Sequence, residues 1–327
     1  MTVQYSLHEE PLISIVVPFY NSNGKIHVFL ENIIKQDASD VEVVFIDDGS
    51  SDNTSAVIEQ FFSDRYNIIN YKIIKKNNGG VSSARNLGLS ISTGKYIMFV
   101  DSDDALMLDS LSVIKSIISN ETSTTFIFEY KRISESEIYS INDFRVKLQK
   151  KYSSSKDFFN KNYLQGDLIR KVSMCSCLYH RNFLMEHGLK FDESFYYGED
   201  QQFLLLNVNL SDSISIYSTP ILAYVDYSTS ATGIFSNRWF DSVLMFKALG
   251  NMPLFKSQSN AINYRVNLEL LGISNKYITN NNVLASRNFI SSKIKSQRMS
   301  SSDLKFILLF RFTIVYVLLY KMYRALK

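Results

Sequence analysis

Cysteine is almost absent from this chain. Only Cys175 and Cys177 occur among 327 residues, so no disulfide framework staples the fold, and thiols two positions apart on one strand face lack the geometry to pair with each other. The sequence reads as that of a reduced, intracellular protein. Proline is scarce at 4, and the 12 glycines follow no collagen-like period, which excludes fibrous and low-complexity material. Histidine is limited to His8, His27, His180 and His187, so Cys175, Cys177 and His180 lack the further ligands a zinc site needs. No apolar run reaches the ~20 residues of a membrane span, and Met1 to Glu10 has no basic stretch before an apolar core, so neither a span nor a secretory leader is expected. Neither G-x-x-x-x-G-K-[ST] nor G-x-G-x-x-G occurs, so P-loop and dinucleotide-fingerprint readings fall. Charge of neither sign dominates: 35 Lys+Arg against 32 Asp+Glu leave +3, which gives no reason to expect a nucleic-acid partner.

What is present is a folding composition, 46% hydrophobic and 20% charged, in a chain long enough for one large or two modest domains. LISIVV (12–17) is a continuous β-branched run of the kind buried on both faces of a parallel sheet, and it ends at Pro18. Helical spacing of Ile26, Phe29, Leu30, Ile33 and Ile34 leads to a second run, VEVVFI (41–46), completing a βαβ unit. Asp52-Asn53-Thr54 offers a helix start, 68–74 has strand character, 81–91 is helical and YIMFV (96–100) is strand again. This alternation predicts an α/β doubly wound sheet whose ligands sit at the carboxyl ends of the strands. Helix is expected at 109–119, strand at 125–133, a variable excursion over 134–171, then strand (173–179), helix (182–187), helix (200–210) and strand (214–225). From about 237 the apolar spacing is helical throughout.

Two strands empty into carboxylates. Strand 41–46 runs into Asp47-Asp48-Gly49-Ser50-Ser51-Asp52, and a turn needs no more than one of these acids. Asp52 suits a helix cap; one of Asp47 and Asp48 is left as a candidate acceptor for the imide N–H of a uracil base. Strand 96–100 runs into Asp101-Ser102-Asp103-Asp104, where Asp101 and Asp103 share a side of an extended chain and offer hard oxygen ligands suited to Mg²⁺ or Mn²⁺. Between them, Asn78-Gly79-Gly80 before a helix start is a candidate anion-accepting terminus, with Arg85 one turn on facing either diphosphate or solvent.

SIVVPFYN (14–21), VFIDDGSSDNT (44–54), NNGGVSSARNLGL (77–89), GKYIMFVDSDD (94–104) and YGEDQQF (197–203) stand in the order and spacing of bacterial family 2 glycosyltransferases of the capsule and exopolysaccharide type, and about the first 205 residues resemble them. The resemblance implies a GT-A fold, a UDP-sugar donor, Mn²⁺ or Mg²⁺ as cofactor and inversion at the anomeric carbon. By position it makes Pro18 and Tyr20 the nucleoside-pocket residues and Asp48 the uracil-binding acid. Asp101 and Asp103 become the D-x-D, with Asp103 the direct metal ligand. It makes Asp200 of Gly198-Glu199-Asp200 the base that takes the acceptor's proton. Arg85, Ser102 and Glu199 complete the nucleotide-sugar site; for Glu199 and Asp200 the structural alternative is pairing with a helix N-terminus. The family's glutamine of Q-x-x-R-W is missing before Asn237-Arg238-Trp239, so transfer of a single sugar is expected rather than processive polymerisation.

The expected organisation is a catalytic domain over 1–230, with a donor half to about 110 and an acceptor half from about 110, followed by a helical region over 231–327. Nine of the basic residues and one acid (Asp303) fall in 287–327, a net of +8 within a chain of +3. There LKFILLFRFTIVYVLLY (304–320) reads as an interfacial helix on an anionic membrane surface, with an oligomer contact such as a homodimer, or an ordinary packed helix, as the alternative. The combined expectation is a cytoplasmic enzyme, peripheral on the inner face of the cell membrane, that adds one sugar to a lipid-linked glycan. The competing expectation is a catalytically inactive sugar-nucleotide or polysaccharide-binding protein of the same fold.

Overall fold

A computed structural model describes residues 10–63, 65, 69–138, 145–146, 151–227, 237–298, 303–311 and 313–325. They belong to two compact units: Met1–Phe159, Leu168–Glu193 and Phe203–Ser228 in the first, and Asn160–Asp167, Ser194–Gln202 and Thr229–Lys327 in the second.

In the first unit strands and helices alternate as the apolar patterns predict. They are β1 (Ile13–Phe19), α1 (Ile26–Ile33), β2 (Val41–Asp47), α2 (Thr54–Ser63), β3 (Asn70–Lys75), α3 (Val81–Ile91) and β4 (Tyr96–Phe99). β5 (Ala105–Leu106), α4 (Ser110–Asn120), β6 (Thr125–Ser134), β7 (Lys151–Ser153) and α5 (Lys156–Leu164) follow, then β8 (Cys177–His180), α6 (Arg181–Glu186), α7 (Glu199–Leu210) and β9 (Ile214–Asp226), with α5 from Asn160 and α7 as far as Gln202 belonging to the second unit. The sheet order is β3-β2-β1-β4-β8-β6-β9-β5, with β7 on β9. β3, β2, β1 and β4 run parallel, and β8 lies antiparallel between β4 and β6. β1, β2 and β4 are buried along their whole length, which is why their sequences are mostly apolar rather than alternating; among the polar exceptions, the Ser14 hydroxyl donates to Glu42.

Two local expectations are corrected. β1 does not end before Pro18 but continues through it to Phe19. Val16 offers its carbonyl to Val100 and Phe19 offers its own to Asp48, so by alternation Pro18 faces the β4 side, past Phe99, the last residue of β4 to pair with β1. The missing N–H of proline therefore breaks no ladder bond. The strand expected over 173–179 begins only at Cys177, because Ser173 caps a 3-10 turn, Met174–Ser176, through a reciprocal capping box with Ser176. Cys175 lies in that turn, so the two thiols do not share a strand face; both are free and buried, and burial pushes the Cys177 thiol up to about 12.

In the second unit every described element from 237 onward is helical. A short 3-10 turn (Asn237–Trp239) precedes α8 (Phe240–Asn251), and a second one leads into α9 (Ser259–Asn280). α10 (Val283–Phe289), a π-helical turn (Ile290–Ile294), α11 (Leu304–Arg311) and α12 (Thr313–Ala325) complete it. The boundary expected near 230 lies outside the described residues. The apolar stretch 304–320 carries α11 and most of α12, and no described helix is long and apolar enough to cross a membrane.

Candidate active site

The carboxyl ends of β1, β2 and β4 lie side by side in the sheet, so the residues that follow them share one rim of the first unit. After β1, Pro18 is buried within the strand and Tyr20 stands 52% exposed. Asn21 takes a left-handed conformation (φ 49°), and its side-chain oxygen accepts from the N–H of Ser51 (2.9 Å) and Asp52 (3.2 Å). Asp52 returns the contact by accepting from Asn23 N–H and caps α2 through Thr54, as its position predicts. Asn21 is an organising residue the sequence reading missed; an asparagine directly after a strand is the signal that would have found it.

The two acids after β2 have separate tasks. Asp47 is buried, and its carboxylate accepts from the Ser50 N–H and the Ser55 hydroxyl, both at 2.7 Å, so it holds the turn into α2. Asp48, also buried, accepts from Lys76 Nζ (2.6 Å), Gly79 N–H (2.9 Å) and Gly80 N–H (2.8 Å). The glycine pair read as an anion-accepting terminus is thus engaged by the protein's own carboxylate. Gly80 has φ 88°, which a side chain would resist, and this turn aims the two amides at Asp48. A carboxylate has about four lone-pair sites, so three donors leave roughly one for an incoming N–H.

After β4, Arg85 from α3 is buried and donates to Asp101 Oδ1 at 2.8 Å, so its guanidinium does not face solvent. Ser102 meets Ser22 across the rim at 3.1 Å. Asp103 pairs with Lys25 Nζ at 3.2 Å; the ammonium lies 4.1 Å from the centre of the Tyr227 ring, whose hydroxyl donates to the Asp103 carbonyl. Burial, and then the charge of Asp101, raise the Asp103 carboxyl above its ordinary value, with Lys25 acting against both. Asp104 is buried and raised further by burial and by the charges of Asp101 and Asp103; its Oδ1 accepts from Val225 N–H, while Oδ2 has no hydrogen-bond partner. No spacing in the sequence ties Lys25 or Tyr227 to this cluster: α1 and the end of β9 bring them to it.

Three acids within four residues, two of them raised by burial and then by the charge of Asp101, make a place where an added cation is favoured, and oxygen donors suit a divalent one. The residues present fit Mg²⁺ or Mn²⁺ as a shared ligand set: among the described residues no group of three or more His, Cys, Asp or Glu is arranged to hold an ion alone. Asp103 and Asp101 would contribute, with the remaining positions open to phosphate and water.

Glu199 and Asp200 open α7, in the first turn, after Gly198 in a left-handed conformation (φ 93°). Glu199 is buried, and Asp200 accepts from the N–H of Gln201 at 2.8 Å. This turn belongs to the second unit, whereas Pro18, Tyr20, Asp48, Arg85, Asp101, Ser102 and Asp103 all belong to the first.

Four of the five motif blocks and this rim fall within a family profile: that of Glycosyl transferase family 2 matches residues 14–188, more than half of the chain, and YGEDQQF (197–203) lies beyond it. The chain belongs to that family. This family 2 enzyme is 31% identical over 128 residues to the glycosyltransferase GlyG of Streptococcus pneumoniae, covering 38% of the chain and 41% of the relative. It is 27% identical to the glycosyltransferase EpsJ of Bacillus subtilis over 68% of the chain and 64% of the relative, so it spans less than two thirds of either length. Poly(ribitol-phosphate) β-N-acetylglucosaminyltransferase TarP of Staphylococcus aureus is 26% identical over 75% of the chain and 74% of its own. Among solved structures, Staphylococcus aureus TarS 1–349 in complex with UDP-GlcNAc matches with a TM-score of 0.66 at 20% identity, covering 96% of this chain and 91% of that one. Mannosyltransferase PcManGT from Pyrobaculum calidifontis, in complex with GDP-Man and Mn²⁺, matches at 0.56 and 15%, covering 98% and 88%. At such identities the likeness shows the fold, the GT-A fold expected from the motifs with a helical C-terminal region.

Proposed function

We propose that this glycosyltransferase moves one sugar from a UDP-sugar to a hydroxyl of a lipid-linked oligosaccharide in surface polysaccharide synthesis, with inversion at the anomeric carbon. The observation that carries the reading is the placement of Asp48, and of Asp101 and Asp103 with the buried Arg85, past the carboxyl ends of β2 and β4, the two strands that flank β1. UDP is favoured as the nucleotide by the TarS structures in complex with UDP and UDP-GlcNAc. The basic, apolar C-terminal region supports an acceptor carried on a membrane lipid, met at the inner face of the cell membrane.

In this mechanism Pro18 and Tyr20 line the nucleoside pocket, and Asp48 accepts the uracil imide N–H with the lone pair its three donors leave free. Arg85, held by Asp101, and Ser102 lie toward the diphosphate. A divalent ion on Asp103 and Asp101, when bound, supplies positive charge against the leaving group. Asp200 takes the proton from the acceptor hydroxyl as that oxygen bonds to the anomeric carbon and the bond from that carbon to UDP breaks, on the opposite face. Glu199 beside it orients the turn.

Calorimetric titration with UDP and with GDP, each with and without Mn²⁺, followed by donor turnover, tests the reading. UDP should bind more tightly with Mn²⁺, GDP should bind weakly in either case, and UDP-sugar should be consumed only when a lipid-linked acceptor is present. Preference for GDP, or UDP binding without turnover on any lipid-linked acceptor, would overturn it.

A further inference from the structure

The second unit leaves one long apolar face uncovered. On α12, Ile314, Val315, Leu318, Leu319, Met322 and Tyr323 are all between 42% and 62% exposed. They occupy positions i, i+1, i+4, i+5, i+8 and i+9, which is a single stripe of an α-helix. The opposite side is anchored: Thr313 and Val317 are buried, Tyr316 hydrogen-bonds Asn275 of α9, and Lys321 Nζ reaches the Ile278 carbonyl at 3.0 Å. The stripe itself contains no charge. Of the charges that interrupt the apolar stretch in the sequence, Lys305 lies on α11, where it is engaged by Tyr264 and Asp303. Six half-exposed large side chains in a row approach the largest patches of ordinary monomers, about 300–600 Å², which usually mark an interaction site.

We propose that α12 lies in the headgroup region of an anionic lipid surface, with this stripe immersed and the surrounding basic residues on the phosphates. Charge selects lipid over a second copy of the chain. Region 287–327 carries a net of +8, so a symmetric contact through α12 would set a strongly basic surface against itself, whereas an anionic leaflet is complementary to it. The proposal deepens the reading of a membrane-borne acceptor and can fail separately from it, because donor binding is measured on its own.

The test is sedimentation of the full chain with vesicles of phosphatidylcholine alone and with about one third phosphatidylglycerol. The anionic vesicles should bind at least about tenfold more protein, and salt that shortens the Debye length from ~10 Å toward ~3 Å should erase most of that difference. The triple substitution Leu318→Gln, Leu319→Gln and Met322→Gln replaces exposed side chains by good helix formers, so the thermal midpoint and UDP binding should be unchanged while vesicle binding falls by about tenfold or more. The double substitution Leu318→Gln and Leu319→Gln should fall in between. No vesicle binding, equal binding to neutral vesicles, or wild-type binding by the triple variant would overturn the proposal. So would light scattering that shows a dimer which the triple variant dissociates.

Discussion

Asp48 and Asp103 follow β2 and β4, the two strands that flank β1, and are held in opposite ways. Asp48 is surrounded by donors, so Asp48→Ala leaves the Gly79 and Gly80 amides and Lys76 without their acceptor. It should cost about 2–3 kcal/mol in denaturant unfolding as well as UDP affinity. Asp103 sits among like charges and is balanced mainly by Lys25, so Asp103→Ala relieves repulsion and should leave the unfolding midpoint within about 0.5 kcal/mol of wild type. Transfer, and the gain in UDP affinity on adding Mn²⁺, should both disappear; turnover near wild type with chelator present would remove Asp103 from the metal site. Asp200→Asn keeps the side-chain shape but cannot take a proton. It should lower kcat by ~10²–10⁴ with UDP affinity nearly unchanged, and a parallel collapse of UDP binding would assign Asp200 to the donor pocket instead.

Elements show how far the pattern of residues determines placement. α3 crosses β1 where Gly88 faces Val16, and a Cβ at position 88 would lie 2.3 Å from Val16 Cγ1 and 3.3 Å from Ile46 Cγ1. Gly88→Ala gains about 1 kcal/mol of helix propensity but meets a packed strand, where overpacking costs about 1–3 kcal/mol. A net loss of stability with a weakened Arg85–Asp101 contact is expected, visible as a lower thermal midpoint together with lower UDP affinity. The apolar runs of β1, β2 and β4 and the acids behind them were legible because local sequence alone decides both burial on two faces and what the strand runs into. The start of β8 was not, because a capping box at Ser173 outweighs the apolar character of 174–176. Lys25 and Tyr227 were invisible for a different reason: each is an ordinary surface-type residue until topology places both against Asp103.

For the molecule as a whole, two sets of carboxyls give stability opposite dependences on pH. Glu42 and Asp47 are buried in β2, and burial alone would raise both. Lys72, Ser14 and Thr93 on the first, and the Ser50 amide, Ser55 and Lys75 on the second, outweigh it and hold them below their ordinary values. A folded value below the unfolded one means that their stabilisation is fully present above the unfolded values of 4.5 and 3.8 and is lost as pH falls through the folded values. Asp103 and Asp104 are raised, so their contribution runs the other way: nothing is lost while they are protonated in both states, and ionising them costs stability as pH climbs from 3.8 through their folded values. Stability should therefore pass through a maximum at mildly acidic pH. Asp104 carries most of the upper limb, being the more deeply buried and having an oxygen without a partner. Urea midpoints taken across the pH range should show Asp104→Asn flattening the decline toward neutral pH and matching or exceeding wild type at pH ~8. Glu42→Gln should instead remove part of the acid-side fall while lowering the neutral midpoint by about 1–3 kcal/mol, because Lys72 and the Ser14 and Thr93 donors lose a charged acceptor. If Asp104→Asn keeps the wild-type slope above pH ~5, Asp104 does not set the upper limb and its origin lies in other groups of the molecule.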